Sequence, residues 1–412
     1  MNTKNKLKIL HVLSQRPDST GSGIYVQAML REASSCGYDN FLVAGLGSAG
    51  CDDTGCIDYD KSIFVTFNNA DVSCQIPGMS DVMPYESMRF CDLSKKELCE
   101  YEKAFSTSLQ HAVDRFKPDI IHSHHLWIIS SITRQLFPDI PLVTSCHGSD
   151  LRQFHNCPHL QKSVLKGCRK IDIVMALSAA QKNEIIRLYN LPPEQIIVVG
   201  AGYNDKLFYI DSKPIPDPVQ IVYAGKLSNA KGVPWLLRAL QSIVSPSWQL
   251  HLLGSGSGDE KEYCLKLAKE LGQKVKIYGA LPQSSLARIM RGAHILVLPS
   301  FFEGLPLVIL EGLASGCRIV ATDLPGTNEV IGNSNTEFIT LVKTPRLRFI
   351  DQPYQEDELA FEQNLQKSLQ QQINRAYHCG QIDISLIQDK LDSYTWTGIF
   401  KKVREAYLKC LT

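Results

Sequence analysis

The sequence predicts an α/β protein of two Rossmann-like, doubly wound parallel-sheet domains facing each other across a cleft. Three observations carry that expectation. Apolar runs of strand length alternate with helix-length periodic segments almost throughout. The alternation stops at Lys213-Pro-Ile-Pro-Asp-Pro218, three prolines in six residues, and then restarts. Finally, 412 residues exceed one ordinary core, so two domains of roughly 200 residues are expected.

Each element follows from its own stretch of chain. After Met1 and the polar Asn-Thr-Lys-Asn-Lys comes Leu7–Leu13, too short for a signal peptide and readable as a first strand. Phe41–Ala44, Asp119–His122, Pro141–Ser145, Ile171–Leu177 and Gln195–Val199 are further continuous apolar runs, the mark of strands covered on both faces. Ile24–Ala33, Ser94–Phe116 and Ala179–Leu191 carry helical spacing between them. Past the proline run, Ile221–Ala224, Gln249–Leu253, Val275–Tyr278, Ile295–Leu298 and Arg318–Ala321 read as strands, each followed by a helix. The domains expected are therefore 1–212 and 213–392, with ligands at the carboxyl ends of the strands. Two regions break the rhythm. Residues 46–93 hold Gly-, Asp- and Cys-rich loops without a helical pattern, and 354–378, rich in Gln and Glu, reads as a solvated helix. Ser393–Leu411 places Trp396, Ile399, Phe400, Val403, Ala406 and Tyr407 on one helical face, which needs a partner surface.

Composition narrows the function classes. Forty-three basic residues nearly balance 42 acidic ones, and a net charge of +1 offers no general attraction to nucleic acid or an anionic membrane. No run of 18 apolar residues occurs. A cytoplasmic chain is expected, with most of its 13 cysteines as free thiols. Nine of the thirteen precede residue 170, and packing is the favoured reason. The spacing of Cys146, Cys157 and Cys168 beside His147 and His159 fits no Cys-x2-Cys zinc pattern, so no metal site is expected.

The strongest constellation runs from Pro299 to Gly316 (PSFFEGLPLVILEGLASG). A strand ends at Leu298, Pro306 suits a helix start, and Gly316 suits a helix end. The backbone N–H groups of Gly304 and Leu305 then face out of a helix N-terminus, a natural anion site. Glu303 stands at its mouth and Glu311 inside the helix, where carboxylates can accept from sugar or ribose hydroxyls. Local chemistry alone equally allows a loop carboxylate and a surface helix residue. Glu303 and Glu311, eight positions apart in this setting, closely resemble the Glu-x7-Glu signature of retaining glycosyltransferases of family 4. Ser315–Asp323 and Pro325–Glu329 are similar to the strand and turn that follow it there.

The resemblance extends over nearly the whole chain. Tyr223–Gly232, carrying Gly225, Lys226 and Lys231, resembles the family stretch that holds the donor diphosphate with two cations; Lys226 stands where Arg is usual and gives up its bidentate geometry. Read alone, two lysines more often mark a solvated face. Leu252–Ser257, with Gly254 and Gly256, has the form of a nucleotide-approach turn, although glycines suit any turn. Ser19–Ile24, with Gly21 and Gly23, is similar to the glycine-rich loop facing donor phosphate and acceptor. Pro299, Ser300 and the Tyr278–Pro282 loop surround the base by resemblance. His147, in Ser145–Asp150, matches the family histidine that reaches sugar hydroxyls; a histidine at a strand end is otherwise a hydrogen-bonded structural residue. His124 and His125, in His122–Trp127, and Asp150 are assigned to the acceptor side.

The resemblance implies a GT-B enzyme, with donor in the second domain, acceptor in the first, and the helix 393–412 packed back on the first. It implies a retaining, metal-independent transfer from a nucleotide-sugar, UDP-sugar first and GDP-sugar second, in glycan or glycoconjugate biosynthesis. No cofactor is required: Lys226, Lys231 and the Gly304–Leu305 amides stabilise the leaving diphosphate, Glu303 and His147 orient the sugar, and Glu311 the ribose. Hexosyl or N-acetylhexosaminyl transfer is expected, to an acceptor the sequence leaves unnamed. Nucleotide-sugar epimerases share the architecture, and a non-catalytic nucleotide-sugar binder is another reading. A dinucleotide oxidoreductase fits less well, because Val26 stands where a third glycine belongs after Gly21 and Gly23.

Overall fold

Parallel pairing requires strands apolar on both faces and a crossover between them, and the chain supplies both twice. In this computed structural model, which describes residues 6–18, 20–47, 57–69, 72–80, 83–332, 336–349 and 351–412, the chain divides into two compact units. One is Met1–Ala201 with Trp396–Thr412; the other is Gly202–Thr395.

The first unit is built on seven strands, β1 (Lys8–Leu13), β2 (Asp39–Leu46), β3 (Ser62–Thr66), β4 (Ile120–His124), β5 (Leu142–Ser145), β6 (Ile173–Ala176) and β7 (Ile196–Val198). They lie in the order β3-β2-β1-β4-β5-β6-β7, all parallel. Its helices are α1 (Gly21–Ser35), α2 (Lys95–Phe116), α3 (Ile128–Leu136), α4 (Gly148–Asn156), α5 (Gln161–Cys168) and α6 (Ala179–Tyr189). Ser94 caps α2 by accepting from Glu97 N while Glu97 reaches back to Ser94 N, which starts that helix sharply.

The second unit repeats the plan with β8 (Val219–Ala224), β9 (Trp248–Leu253), β10 (Val275–Gly279), β11 (Ile295–Leu298), β12 (Arg318–Thr322) and β13 (Ile339–Val342), ordered β10-β9-β8-β11-β12-β13 and parallel. Its helices are α7 (Val233–Gln241), α8 (Gly258–Glu270), α9 (Gln283–Gly292), α10 (Leu307–Ala314), α11 (Pro325–Ile331), α12 (Gln355–His378) and α13 (Gln388–Ser393). In each sheet the order reverses beside the first strand, between β1 and β4 and between β8 and β11. Loops leave the carboxyl ends in opposite directions there and open a crevice.

Two features differ from the sequence reading. The region 46–93 contributes β3 to the sheet edge, a five-residue strand hidden among loops. Helix α12 is not a solvated helix: Phe361, Leu365, Leu369, Ile373 and Ala376 bury one face in the second unit's core. The glutamines outnumber that narrow stripe and mask it in composition, yet four-residue spacing is enough to seat a helix on a sheet. The run Lys213–Pro218 lies within the second unit, where Lys213 Nζ donates to Ser315 O at 2.6 Å.

The last helix, α14 (Trp396–Leu411), belongs to the first unit, where it packs on α1 and against β5 and β6. Ile399, Phe400, Val403 and Tyr407 are buried there, which supplies the surface its apolar face needs. Phe400→Ala is expected to destabilise the first unit by about 3 kcal/mol through lost burial and a cavity. Urea unfolding followed by tryptophan fluorescence checks this, with a fall in midpoint at unchanged slope.

Candidate active site

In the second unit the loops after β8, β9 and β11 meet because glycines let backbone touch backbone. Gly254 has φ +130°, and a Cβ there would lie 1.8 Å from Gly225 O. Gly232 has φ +66°, and its Cβ would lie 2.0 Å from Pro299 O. Phe301 N donates to Ala230 O at 2.9 Å, so the β8–α7 loop is fastened along the β11–α10 loop. Leu227 N likewise donates to Ser255 O at 3.0 Å, and a Cβ on Gly256 would lie 2.6 Å from Leu227 O. Tyr223 steadies the turn by donating its hydroxyl to Lys226 O at 2.7 Å.

This packing brings Lys231 and Glu303 together, Nζ to Oε1 at 2.7 Å, with both side chains mostly covered. Lys226 is exposed earlier on the same β8–α7 loop that carries Lys231. Gly304 and Leu305 follow, and among the described residues neither of their N–H groups has a partner. Pro306 immediately precedes α10, and Gly316, at φ +75°, closes it as Gly316 N donates to Leu313 O and Cys317 N to Gly312 O. The helix's own Leu307 N and Ile309 N donate to Leu305 O and Pro306 O, so the free donors belong to the loop just ahead of α10, on the segment that carries Glu303 and its Lys231 partner, a setting for a diphosphate and a hydroxyl-bearing group.

Glu311 is buried, so the surface-helix alternative is overturned. Its one described partner is Gln283 Nε2, 3.4 Å from Oε1. Burial pushes its carboxyl up to about 7, against the small opposing effect of Gln283.

The first unit brings a second group to the ends of β1, β4 and β5. Thr20 Oγ1 accepts from Gly23 N at 3.0 Å and starts α1, and a Cβ on Gly23 would lie 2.6 Å from Pro17 O. Gly21 meets open space; Ser19 lies outside the described residues. His147 sits just before α4, its N–H donating to Asp150 Oδ2 at 2.8 Å. The same oxygen accepts from Leu126 N, and Asp150 Oδ1 pairs with His125 Nδ1 at 2.5 Å. Burial works to raise Asp150, but His125, His147 and the backbone donor outweigh it and hold the carboxyl below its usual value. His125 is itself left-handed, with φ +78°, a conformation unusual for this residue type. Burial lowers His147 to about 3, so its imidazole is neutral.

The three residues expected on the acceptor side lie in a buried cluster. His124 and His125 are fully enclosed, His124 among Tyr25, His11, His122 and His147, and Asp150 is enclosed as well. Asp150 and His125 brace the chain around His147, and the His124 ring stacks on it. The motif reading missed His11, which pairs in register with His122 on the neighbouring strand. Only the sheet reveals that, because the two are far apart in sequence. The thiol expectation changes at one place, where Cys91 and Cys157 form a disulfide. Cys146 and Cys168 remain buried thiols that burial pushes well above their usual range, while Cys51 and Cys56 lie outside the described residues.

Comparison with known proteins places both units. The family described as Glycosyltransferase Family 4 matches residues 77–207, and that described as Glycosyl transferases group 1 matches 218–347. A D-inositol 3-phosphate glycosyltransferase of Corynebacterium aurimucosum is 26% identical over 61% of this chain and 66% of its own length. An uncharacterized glycosyltransferase of Methanocaldococcus jannaschii is 26% identical over 53% of this chain and 60% of its own. The chain thus spans about three fifths of the length of these curated relatives. Among solved structures, the lipopolysaccharide outer core galactosyltransferase WaaB superposes with TM-score 0.64 at 18% identity, over 98% of this chain and 99% of that one. HepE of Anabaena, in complex with UDP and glucose, gives 0.64 at 16% identity, over 98% and 100%. The fold shared with both is GT-B.

Gly326 tests the loop packing, since a Cβ there would lie 2.4 Å from Gly304 O and 2.7 Å from Glu303 O. Gly326→Ala is expected to cost about 1–3 kcal/mol and to displace the Glu303–Gly304 peptide. Thermal unfolding of parent and variant checks it, with a Tm expected to fall by about 2–4 °C for each kcal/mol lost.

Proposed function

From the premise that this chain belongs to the glycosyltransferases of family 4, we propose that it transfers a hexosyl or N-acetylhexosaminyl group from a UDP-sugar to a hydroxyl acceptor, with retention and without a metal at the diphosphate. A GDP-sugar is the second donor to screen. The observation that carries the reading is the meeting of Lys231 and Glu303 in front of the α10 N-terminus. It sets a cation for the leaving diphosphate beside a carboxylate for the sugar, with backbone donors adjacent. UDP bound by HepE, a neighbour of the same fold, supports the choice of nucleotide.

In the proposed step, the bond from the anomeric carbon to the diphosphate breaks while the acceptor oxygen bonds to that carbon on the same face. The acceptor's proton passes to the departing diphosphate, so no separate base is needed. Lys226, Lys231 and the Gly304 and Leu305 N–H groups take up the charge that develops on the leaving group. Glu303 accepts from sugar hydroxyls, and Glu311 from both ribose hydroxyls. In the first unit, assigned to the acceptor, neutral His147 is the hydroxyl partner.

A screen of nucleotide-sugars with and without cell-extract metabolites, reading released UDP or GDP, tests the reading. Release that requires both donor and acceptor supports it, whereas an epimer formed from donor alone replaces it with the epimerase. Glu303→Ala and Lys231→Ala are each expected to lower kcat/KM at least ~100-fold, a few kcal/mol of transition-state stabilisation. Near-parent rates in both variants remove the site assignment.

Glu311 adds a pH dependence of determinate sign. Below about 7 its carboxyl keeps a proton and loses acceptor capacity, and above that value it is ionised and can accept from both hydroxyls. UDP affinity should therefore strengthen roughly tenfold between one pH unit below and one above that point. Calorimetric titration across this range measures it, and Glu311→Gln should flatten the profile.

A further inference from the structure

We propose that His11, His122 and His124 form a site in the first unit for one borderline divalent transition-metal ion, of the class of Zn2+ or Co2+. The site is independent of the leaving-group chemistry proposed for the second unit.

The sheet itself assembles the three rings. Side chains two residues apart share a face of a strand, so His122 and His124 of β4 point the same way. His11 lies opposite His122 in the parallel register of β1 and β4, which adds the third imidazole to that face. One ring nitrogen from each lies within 4.8 Å of the others, and all three side chains are fully buried. Ring centroids of His122 and His124 are 4.1 Å apart, and those of His11 and His122 5.5 Å.

The hydrogen bonds leave nitrogens pointing at nothing. Asn40 Nδ2 donates to Leu30 O and Ser34 Oγ, which turns its Oδ1 to His11 Nε2 at 3.2 Å. An amide oxygen only accepts, so the His11 proton sits on Nε2 and the lone pair remains on Nδ1. Among the described residues His11 Nδ1 has no partner, and neither nitrogen of His124 has one. Orphaned buried polar atoms are uncommon in native proteins, and three in one place call for a ligand. His11 already has the outer contact that ligating histidines typically make, its far N–H held by an oxygen. His122 is held by hydroxyls on both sides, Tyr407 at 2.7 Å from Nδ1 and Ser145 at 2.8 Å from Nε2. Ligation exchanges one hydroxyl for the ion and retains the other as the outer contact.

Three neutral imidazoles favour zinc, cobalt or nickel over calcium or magnesium, which prefer oxygen ligands. Zinc–nitrogen bonds of about 2.0–2.1 Å place tetrahedral ligands roughly 3.3 Å apart, so the rings draw together on loading. The His124 ring stacks 5.9 Å from that of His147, so the ion steadies His147 from behind.

The test uses the full-length chain with any affinity tag removed, stripped with a chelator and dialysed against Zn2+ or Co2+. One ion per chain by elemental analysis is expected, with a tetrahedral Co2+ visible spectrum and X-ray absorption showing nitrogen neighbours at about 2.0 Å. His124→Phe and His11→Gln, confirmed folded by circular dichroism, should each weaken binding at least ~10-fold and lose the metal-induced rise in Tm. Absence of stoichiometric metal in the parent, sulfur ligation in its absorption spectrum, or undiminished affinity in both variants overturns the site. The first two outcomes need no variant, so they decide the matter even if the substitutions prevent folding.

Discussion

Backbone lying directly on backbone is the constraint from which the second unit's site follows. Gly254 against Gly225 O, Gly232 against Pro299 O and Gly326 against Gly304 O are approaches that any Cβ would prevent. Two of the three residues also hold positive φ, so the turn and the close approach demand glycine together. Because three loops are pressed into one layer, a lysine after β8 reaches a glutamate after β11. The ion pair is thus a consequence of main-chain packing, and its partners are separated by 72 positions in the chain.

Burial then determines the state of each polar group. Near-zero net charge says nothing about local fields, and the charged groups of the site are few and specifically placed. Glu311, enclosed in α10, holds its proton far above the ordinary carboxylate range. In the first unit the same cost keeps His147 neutral, while Asp150 stays ionised because His125 and two backbone donors repay its desolvation. Opposite outcomes for two buried carboxyls trace to their hydrogen-bond partners: Gln283 alone for one, an imidazole and two N–H groups for the other.

Most of the fold was legible because parallel strands buried on both faces read as continuous apolar runs. The runs at Leu7–Leu13 and Ile295–Leu298 locate β1 and β11 within a residue. The losses have equally physical causes. Ser62–Thr66 is a short edge strand set among loops, where composition gives little contrast. In α12 a stripe of one residue in four is diluted by glutamine, although it buries five side chains. Of the site, Glu303, Glu311 and Lys231 were singled out by resemblance to a family motif, since their local context alone also fits a solvated loop or helix face. The enclosure of His124 and His125 and the contribution of His11 were not legible, because burial and strand register are properties of the assembled sheet.

The sequence by itself determined the elements, the glycines at strand ends and the residue types available for phosphate and hydroxyl recognition, since these rest on local periodicity and backbone conformation. Tertiary structure alone decided which of them meet. Lys231 with Glu303, His11 with His122, Tyr407 of the last helix with the imidazole of β4, and Cys91 with Cys157 are all long-range pairs. Pairing, burial and the protonation states that follow depend on distance and solvent exclusion, and neither exists before the chain has folded.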